Sequence, residues 1–117
     1  MAGKPFEAHV RQQPGQAIID LSGEINATAE NDLSAAYSEA ESQNPAVVIL
    51  NFTNVHYINS TGIALIVGLL ARARKAHRQL AVFGLSDHYV EIFHITRLAD
   101  FMTIYPDEGS VAASVAG

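Results

Sequence analysis

Apolar and polar residues alternate with a period of two over residues 6–11, near the start of the chain. This pattern is typical of a β-strand with one face in water. Pro14-Gly15 follows and predicts a tight turn, because proline presets its φ angle and glycine accepts a positive one. A second strand over residues 17–22 then pairs back as a hairpin. We expect Gly23 to end this strand and residues 24–26 to form a short exit loop.

The period changes to that of a helix from Thr28 to about Gln43. Apolar residues recur every three or four positions, and most of the acidic residues occupy the other side. Asn26 or Thr28 can cap this helix. Asn44-Pro45 ends it, since the residue before a proline disfavours helical backbone.

Residues 46–52 are almost all apolar, which predicts a strand buried on both faces of a sheet. Residues 53–59 are mostly polar and predict a crossing loop. An apolar helix over residues 61–77 follows and must lie against the sheet. Ser60 therefore lies on the rim where a strand ends and a helix begins.

The remaining elements are shorter. Residues 80–83 form a strand, and Ser86-Asp87 caps a third helix. Residues 101–105 predict a last strand, and Asp107 starts a short terminal helix.

Strands that alternate with helices indicate a mostly parallel sheet, because each parallel connection needs a crossover. The predicted fold is α/β. It is a single domain over residues 1–117, with three to four helices and an N-terminal hairpin strand, antiparallel, at or near a sheet edge.

The composition narrows the classes of function. The absence of cysteine excludes disulfides and thiol catalysis and suits a cytoplasmic protein. The net charge of −5 argues against nucleic acid as a partner. No run approaches the roughly 18 apolar residues of a membrane span, and the N-terminus lacks the apolar core of a signal peptide, so we expect no membrane insertion.

The chain shows no common catalytic constellation. The five histidines have no partner at metal-ligand spacing, and both phosphate-binding glycine motifs are missing. We therefore predict no metal, no cofactor and no enzymatic activity. A hydrolase dyad of Ser60 and His56 stays open only as a control hypothesis, because no acid is placed to orient the histidine.

Ser60 has two compatible interpretations. Its hydroxyl can cap the helix by accepting a hydrogen bond from a free backbone N–H two or three residues on. A phosphate added there would meet unpaired donors and the positive end of the helix dipole. A partner docked flat on the rim would instead have to desolvate the new charge. The serine is thus suited to be a switch for docking.

Four segments together resemble the STAS domain, and in particular the bacterial anti-sigma factor antagonists. They are residues 21–25 (LSGEI), 48–52 (VILNF), 57–65 (YINSTGIAL) and 80–84 (LAVFG). The order of the predicted elements agrees from residue 6 to about 115.

The resemblance implies a domain that binds an anti-sigma factor, itself a serine kinase, and so frees a sigma factor. The kinase phosphorylates the serine that matches Ser60, which breaks the complex, and a serine phosphatase restores it. The partner surface would include a set of neighbouring residues: Gly23, Glu24, Asn26, Asn59, Thr61, Gly62 and Ile63.

Family members usually have aspartate at the positions that match Asn51, Asn59 and Asn26. An acid before the serine would repel a phosphate, whereas an amide is neutral. The departure leaves open a second hypothesis, a constitutive interaction module in a signalling complex or a transporter, without a phosphorylation switch. Homodimerisation is also left open.

Overall fold

The computed structural model describes residues 5–111 of the 117-residue chain. The elements in chain order are β1 (Glu7–Gln13), β2 (Gln16–Ile25), a 3-10 turn (Ala27–Ala29), α1 (Glu30–Glu41), β3 (Val47–Ile58), α2 (Ser60–Lys75), β4 (Gln79–Phe83), α3 (Asp87–Ile95), a second 3-10 turn (Leu98–Asp100) and β5 (Thr103–Tyr105). No helix within residues 5–111 is both long and apolar enough to span a membrane.

The strands form one mixed sheet in the order β1-β2-β3-β4-β5. β1 pairs with β2 antiparallel at the edge, and the other neighbours are parallel. The α/β fold and the edge position of the first strand are therefore confirmed. Because β2, β3, β4 and β5 run parallel, their carboxyl ends line one rim of the sheet.

The two faces of the sheet bury different sets of side chains, as the period of two requires. One face carries Ile19, Leu50 and Val82 and packs against α1, α2 and α3 in the main core. The opposite face carries a smaller cluster around Ile49 and Phe83, which Val111 joins.

A further helical turn begins after Asp107, whose carboxylate accepts a hydrogen bond from the Ser110 N–H at 2.8 Å. Residues 108–111 are helical, so the predicted start of a terminal helix is confirmed. The rest of that helix lies outside the described residues.

Two predicted loops are in fact strand, and both predictions were wrong. β2 does not end at Gly23 but continues to Ile25, and β3 continues through residues 53–58. The two strands stay paired across two register shifts, after Asp20 and after Gly23, at each of which β3 carries an extra residue. Gly23 has a φ of +86°, a conformation glycine adopts without strain.

The extension of β3 has lost its second neighbour, since β4 pairs only as far as Asn51. Tyr89 of α3 supplies a hydrogen-bond acceptor in place of the missing strand. Its buried hydroxyl lies 2.9 Å from the Ile58 nitrogen and accepts that N–H. The end of β3 is thus fixed from both sides.

The helix that follows is seated against β2 through Gly62. A Cβ atom at this position would lie 2.1 Å from the Ile25 carbonyl oxygen and 2.9 Å from a methyl carbon of Ile58. Only a residue without a side chain allows α2 to start so close to the end of the sheet.

We predict that Gly62→Ala lowers the free energy of unfolding by at least about 2 kcal/mol, because the backbone at Ile25 cannot move away cheaply. Gly68→Ala in the same helix is the matched control. Nothing lies within 4 Å of a Cβ there, so it should stabilise by about 0.5–1 kcal/mol. Urea denaturation measures both values. Equal effects of the two substitutions would contradict the close approach at Gly62.

A polar network ties β1, β2 and β3 together. The Arg11 guanidinium lies 2.6 Å and 2.8 Å from the two Asp20 carboxylate oxygens, and the Asn51 amide donates to one of them at 2.8 Å. Burial raises the pKa of Asp20, but the hydrogen bonds from Arg11 and Asn51, together with the positive charge of Arg11, outweigh burial, and the pKa is lowered overall. Asn51 thus serves as a donor to an acid.

Asn51→Asp should therefore destabilise the fold by about 1–3 kcal/mol at pH 7, because two carboxylates would face each other. The loss should shrink as the pH falls towards about 4, where one of the pair takes up a proton and can donate. In the wild type, the contribution of Asp20 is complete above the ordinary pKa of aspartate and is lost as the pH falls through the lowered value.

The matched control is Asn54→Asp, an exposed position on the same strand. Thermal unfolding between pH 4 and pH 8 separates the two variants. A pH-independent loss in Asn51→Asp, or an equal loss in both variants, would show that repulsion with Asp20 is not the cause.

Candidate functional site

The candidate site lies on the rim where β2 and β3 end side by side. Ile25 and Ile58 are the last paired residues of the two strands. The backbone N–H of Asn59 donates to the Ile25 carbonyl oxygen at 3.2 Å. The start of α2 is therefore fixed to the end of β2 by a hydrogen bond and by the close contact at Gly62.

Asn59, and not Ser60, is the N-cap of α2. The Asn59 side-chain oxygen accepts from the Gly62 N–H at 2.8 Å, and its backbone oxygen accepts from the Ile63 N–H at 2.9 Å. The prediction that Ser60 caps the helix was wrong. Both residue types cap well, and extended backbone at Asn59 places its side chain over the helix end.

The Ser60 side chain is exposed, and its hydroxyl makes no hydrogen bond to any other described residue. A helix leaves its first N–H groups without intrahelical partners. Here the Asn59 and Gly62 groups are satisfied, which leaves those of Ser60 and Thr61 for water or a ligand. The first turn contains no acidic residue, so its positive potential is not cancelled locally.

The other predicted site residues divide into two groups. Asn26, Thr61 and Ile63 reach the surface at least in part, and Asn26 caps the first 3-10 turn by accepting from the Thr28 N–H at 3.0 Å. Glu24 is half-buried within β2.

Gly23 and Gly62 are buried, so they shape the rim from within. The assignment of these positions to a partner surface stays a prediction.

Sequence reasoning missed two residues of the rim. Tyr89 fixes the end of β3 from a different helix, and nothing in the local sequence signals this contact. Tyr57, three residues before Ser60, is 51% exposed and adds an aromatic surface. An isolated exposed tyrosine is not unusual, so only its position at the rim makes it a candidate contact.

Among residues 5–111, neither the proposed Ser60–His56 dyad nor a metal-binding cluster is assembled at this rim. No hydrogen bond joins Ser60 to His56. Within residues 5–111, histidine and acidic side chains form no cluster of three or more that could hold a metal ion. What the site offers chemically is a free hydroxyl next to two free N–H donors.

Asn59→Ala should lower the free energy of unfolding by about 1 kcal/mol, because the Gly62 N–H loses its acceptor. Ser60→Ala should change the free energy of unfolding by less than about 0.5 kcal/mol, since the hydroxyl makes no hydrogen bond to another described residue. Chemical denaturation of the two variants measures the difference. A larger loss in Ser60→Ala than in Asn59→Ala would assign the cap to the serine after all.

Comparison with known proteins assigns this chain to a family. The STAS domain model matches residues 7–111. The anti-sigma-B factor antagonist of Listeria monocytogenes is 32% identical over 93 residues, which are 80% of this chain and 82% of that protein.

Solved structures show the same fold. An anti-sigma factor antagonist from Mycobacterium paratuberculosis superposes with a TM-score of 0.82 at 18% identity, covering 97% of this chain and 96% of that one. The Bacillus cell fate determinant SpoIIAA in its phosphorylated form gives a TM-score of 0.69 at 20% identity, covering 94% and 99%. Since the family model spans nearly the whole chain, the protein belongs to the STAS domain family.

Proposed function

We propose that this protein is an anti-sigma factor antagonist switched by phosphorylation of Ser60. In the unmodified form it binds an anti-sigma factor that is also a serine kinase, and in the modified form it is released. The supporting observation is the free, exposed Ser60 hydroxyl at the head of α2, in a chain similar to antagonists of this kind.

The chemistry at Ser60 belongs to the partner enzymes. The kinase transfers the γ-phosphoryl group of ATP to the Ser60 oxygen, the hydroxyl proton leaves to a base of the kinase, and ADP is the second product. A serine phosphatase hydrolyses the ester with water and releases inorganic phosphate. The chain supplies the acceptor hydroxyl, without a cofactor, and we place it in the cytoplasm with these partners.

The free N–H groups of Ser60 and Thr61 explain how the fold can accept the modification. A phosphoserine carries about −1.5 to −2 charges, and the helix N-terminus offers it donors and positive potential. Asn59 adds no negative charge beside it. The fold then stays intact while the surface changes.

The same charge would be costly in a docked complex. Three residues close to Ser60 in the chain, Tyr57, Thr61 and Ala64, are uncharged and exposed. A partner that covers them must remove water from the phosphate, and that penalty is repaid only by matched donors in the partner. Phosphorylation therefore favours release.

Incubation with the anti-sigma factor kinase of the same organism and ATP should add one phosphate to the wild type and none to Ser60→Ala, as intact mass shows. Thr61→Ala is the matched control, with an adjacent exposed hydroxyl removed, and it should still be modified. A phosphate on Ser60→Ala, or none on the wild type, would remove the basis of the switch.

Binding of the anti-sigma factor separates this proposal from a constitutive interaction module. Ser60→Ala should bind like the wild type, and Ser60→Asp should bind at least about tenfold more weakly. Calorimetry measures both affinities. Unchanged affinity in Ser60→Asp, together with co-purification whatever the state of the serine, would favour the constitutive module.

A further inference from the structure

A second surface feature lies away from Ser60, between the C-terminal half of α2 and the chain that follows α3. It is an open groove of about 510 Å³ whose apolar lining includes Val67, Ala71 and Phe101. Val67 is 46% exposed and Phe101 is 53% exposed. Large apolar side chains that are exposed side by side mark interaction sites more often than isolated ones do.

The outer face of α2 continues this apolar surface. Its exposed residues between Thr61 and Arg72 are all small or apolar: Ala64, Val67, Gly68 and Ala71. A helix on the outside of a protein ordinarily carries polar or charged residues on its outer face. Two turns of α2 therefore expose small or apolar side chains where the outer face of a helix ordinarily carries polar or charged ones.

Two arginines border the groove on a chain whose net charge is −5. Arg97 forms an exposed ion pair with Asp100 at 2.6 Å. Arg74 is different, because its guanidinium lies over the Phe101 ring at 4.9 Å and no ion pair joins it to a carboxylate within residues 5–111. A cation held over an apolar floor complements a ligand that is apolar on one side and acidic at its flank.

We propose that this groove docks an acidic amphipathic helix of a partner protein. The apolar side of the helix covers Val67 and Phe101, and a carboxylate at its edge pairs with Arg74. A helix fits a groove bounded by another helix and reads it through residues at i, i+3, i+4 and i+7. The contact is separate from the switch, since Arg74 lies 14 residues, or roughly 21 Å, along α2 from Ser60.

The test is an NMR titration of the full chain with two synthetic peptides of about five helical turns. Both carry leucine at i, i+3, i+4 and i+7, one with glutamate at the flanking positions and one with lysine. The glutamate peptide should shift the amides of Val67, Ala71 and Phe101, and the lysine peptide should not. Ser60→Asp should leave this binding unchanged.

Charge-reversal variants test the role of Arg74. Arg74→Glu should lower the affinity for the glutamate peptide at least about tenfold. Lys75→Glu changes the charge of the next residue by the same amount but lies outside the groove lining, and it should weaken binding less than about threefold at physiological salt, where charges are screened beyond about 8 Å. Phe101→Ser, at an exposed position, is a second variant in case Arg74→Glu fails to fold, and it should also lose binding.

Several results would overturn the proposal. They are equal binding of the two peptides, no binding of either, shifts located outside the groove, or equal effects of Arg74→Glu and Lys75→Glu. Sedimentation of the free chain adds another: a dimer that Val67→Glu dissociates would mean that a second copy, and not an acidic helix, covers this face.

Discussion

The carbonyl oxygen of Ile25 is the point on which the functional rim depends. It accepts the Asn59 N–H at 3.2 Å, and it occupies the space that a side chain at position 62 would need. A hydrogen bond and a steric limit therefore act on the same atom. Together they set where α2 begins relative to the sheet, and hence where Ser60 stands. Tyr89 completes this arrangement by holding the last residue of β3 from the other side.

Two adjacent polar residues, Asn59 and Ser60, have different roles at the start of α2. Asn59 accepts the Gly62 N–H, so the Ser60 hydroxyl is not needed as the helix cap and stays exposed. An aspartate at position 59 could accept the same hydrogen bond from Gly62, since the amide uses only its oxygen there. The amide differs in being neutral and in offering N–H donors, and both bear on how easily a phosphate would be held next to it. The helix cap and the exposed hydroxyl thus belong to different residues at this rim.

Much of the fold could be predicted from the sequence, because most elements carry a clear period. The alternation after Phe6, the apolar run at residues 46–52 and the helical spacing of α1 and α2 all correspond to observed elements.

The extension of β3 through residues 53–58 could not be predicted in this way. Its residues are mostly polar because much of that stretch lies beyond the neighbouring strand, and polarity alone is typical of a loop. Its pairing with β2 depends on register shifts that only the three-dimensional structure shows.

The place of Ser60 in the fold was predicted, but its contacts were not. A serine between a buried strand and an apolar helix must lie at the rim, and it does. The sequence does not show which of Asn59 and Ser60 caps the helix, because the two residues are adjacent and both types cap well. The contacts of Tyr89 and of Asn51 join residues 31 positions apart, so no local pattern signals them.

We propose that the rim at the start of α2 carries a phosphate on Ser60 without a change of fold. Comparison of amide NMR spectra of the unmodified and the Ser60-phosphorylated protein tests it most directly. We predict large shifts confined to the amides of Ser60 and Thr61 and their immediate neighbours, with β3 and α3 unchanged. Shifts spread through the sheet, or loss of the signal of the Gly62 amide bonded to Asn59, would contradict the account.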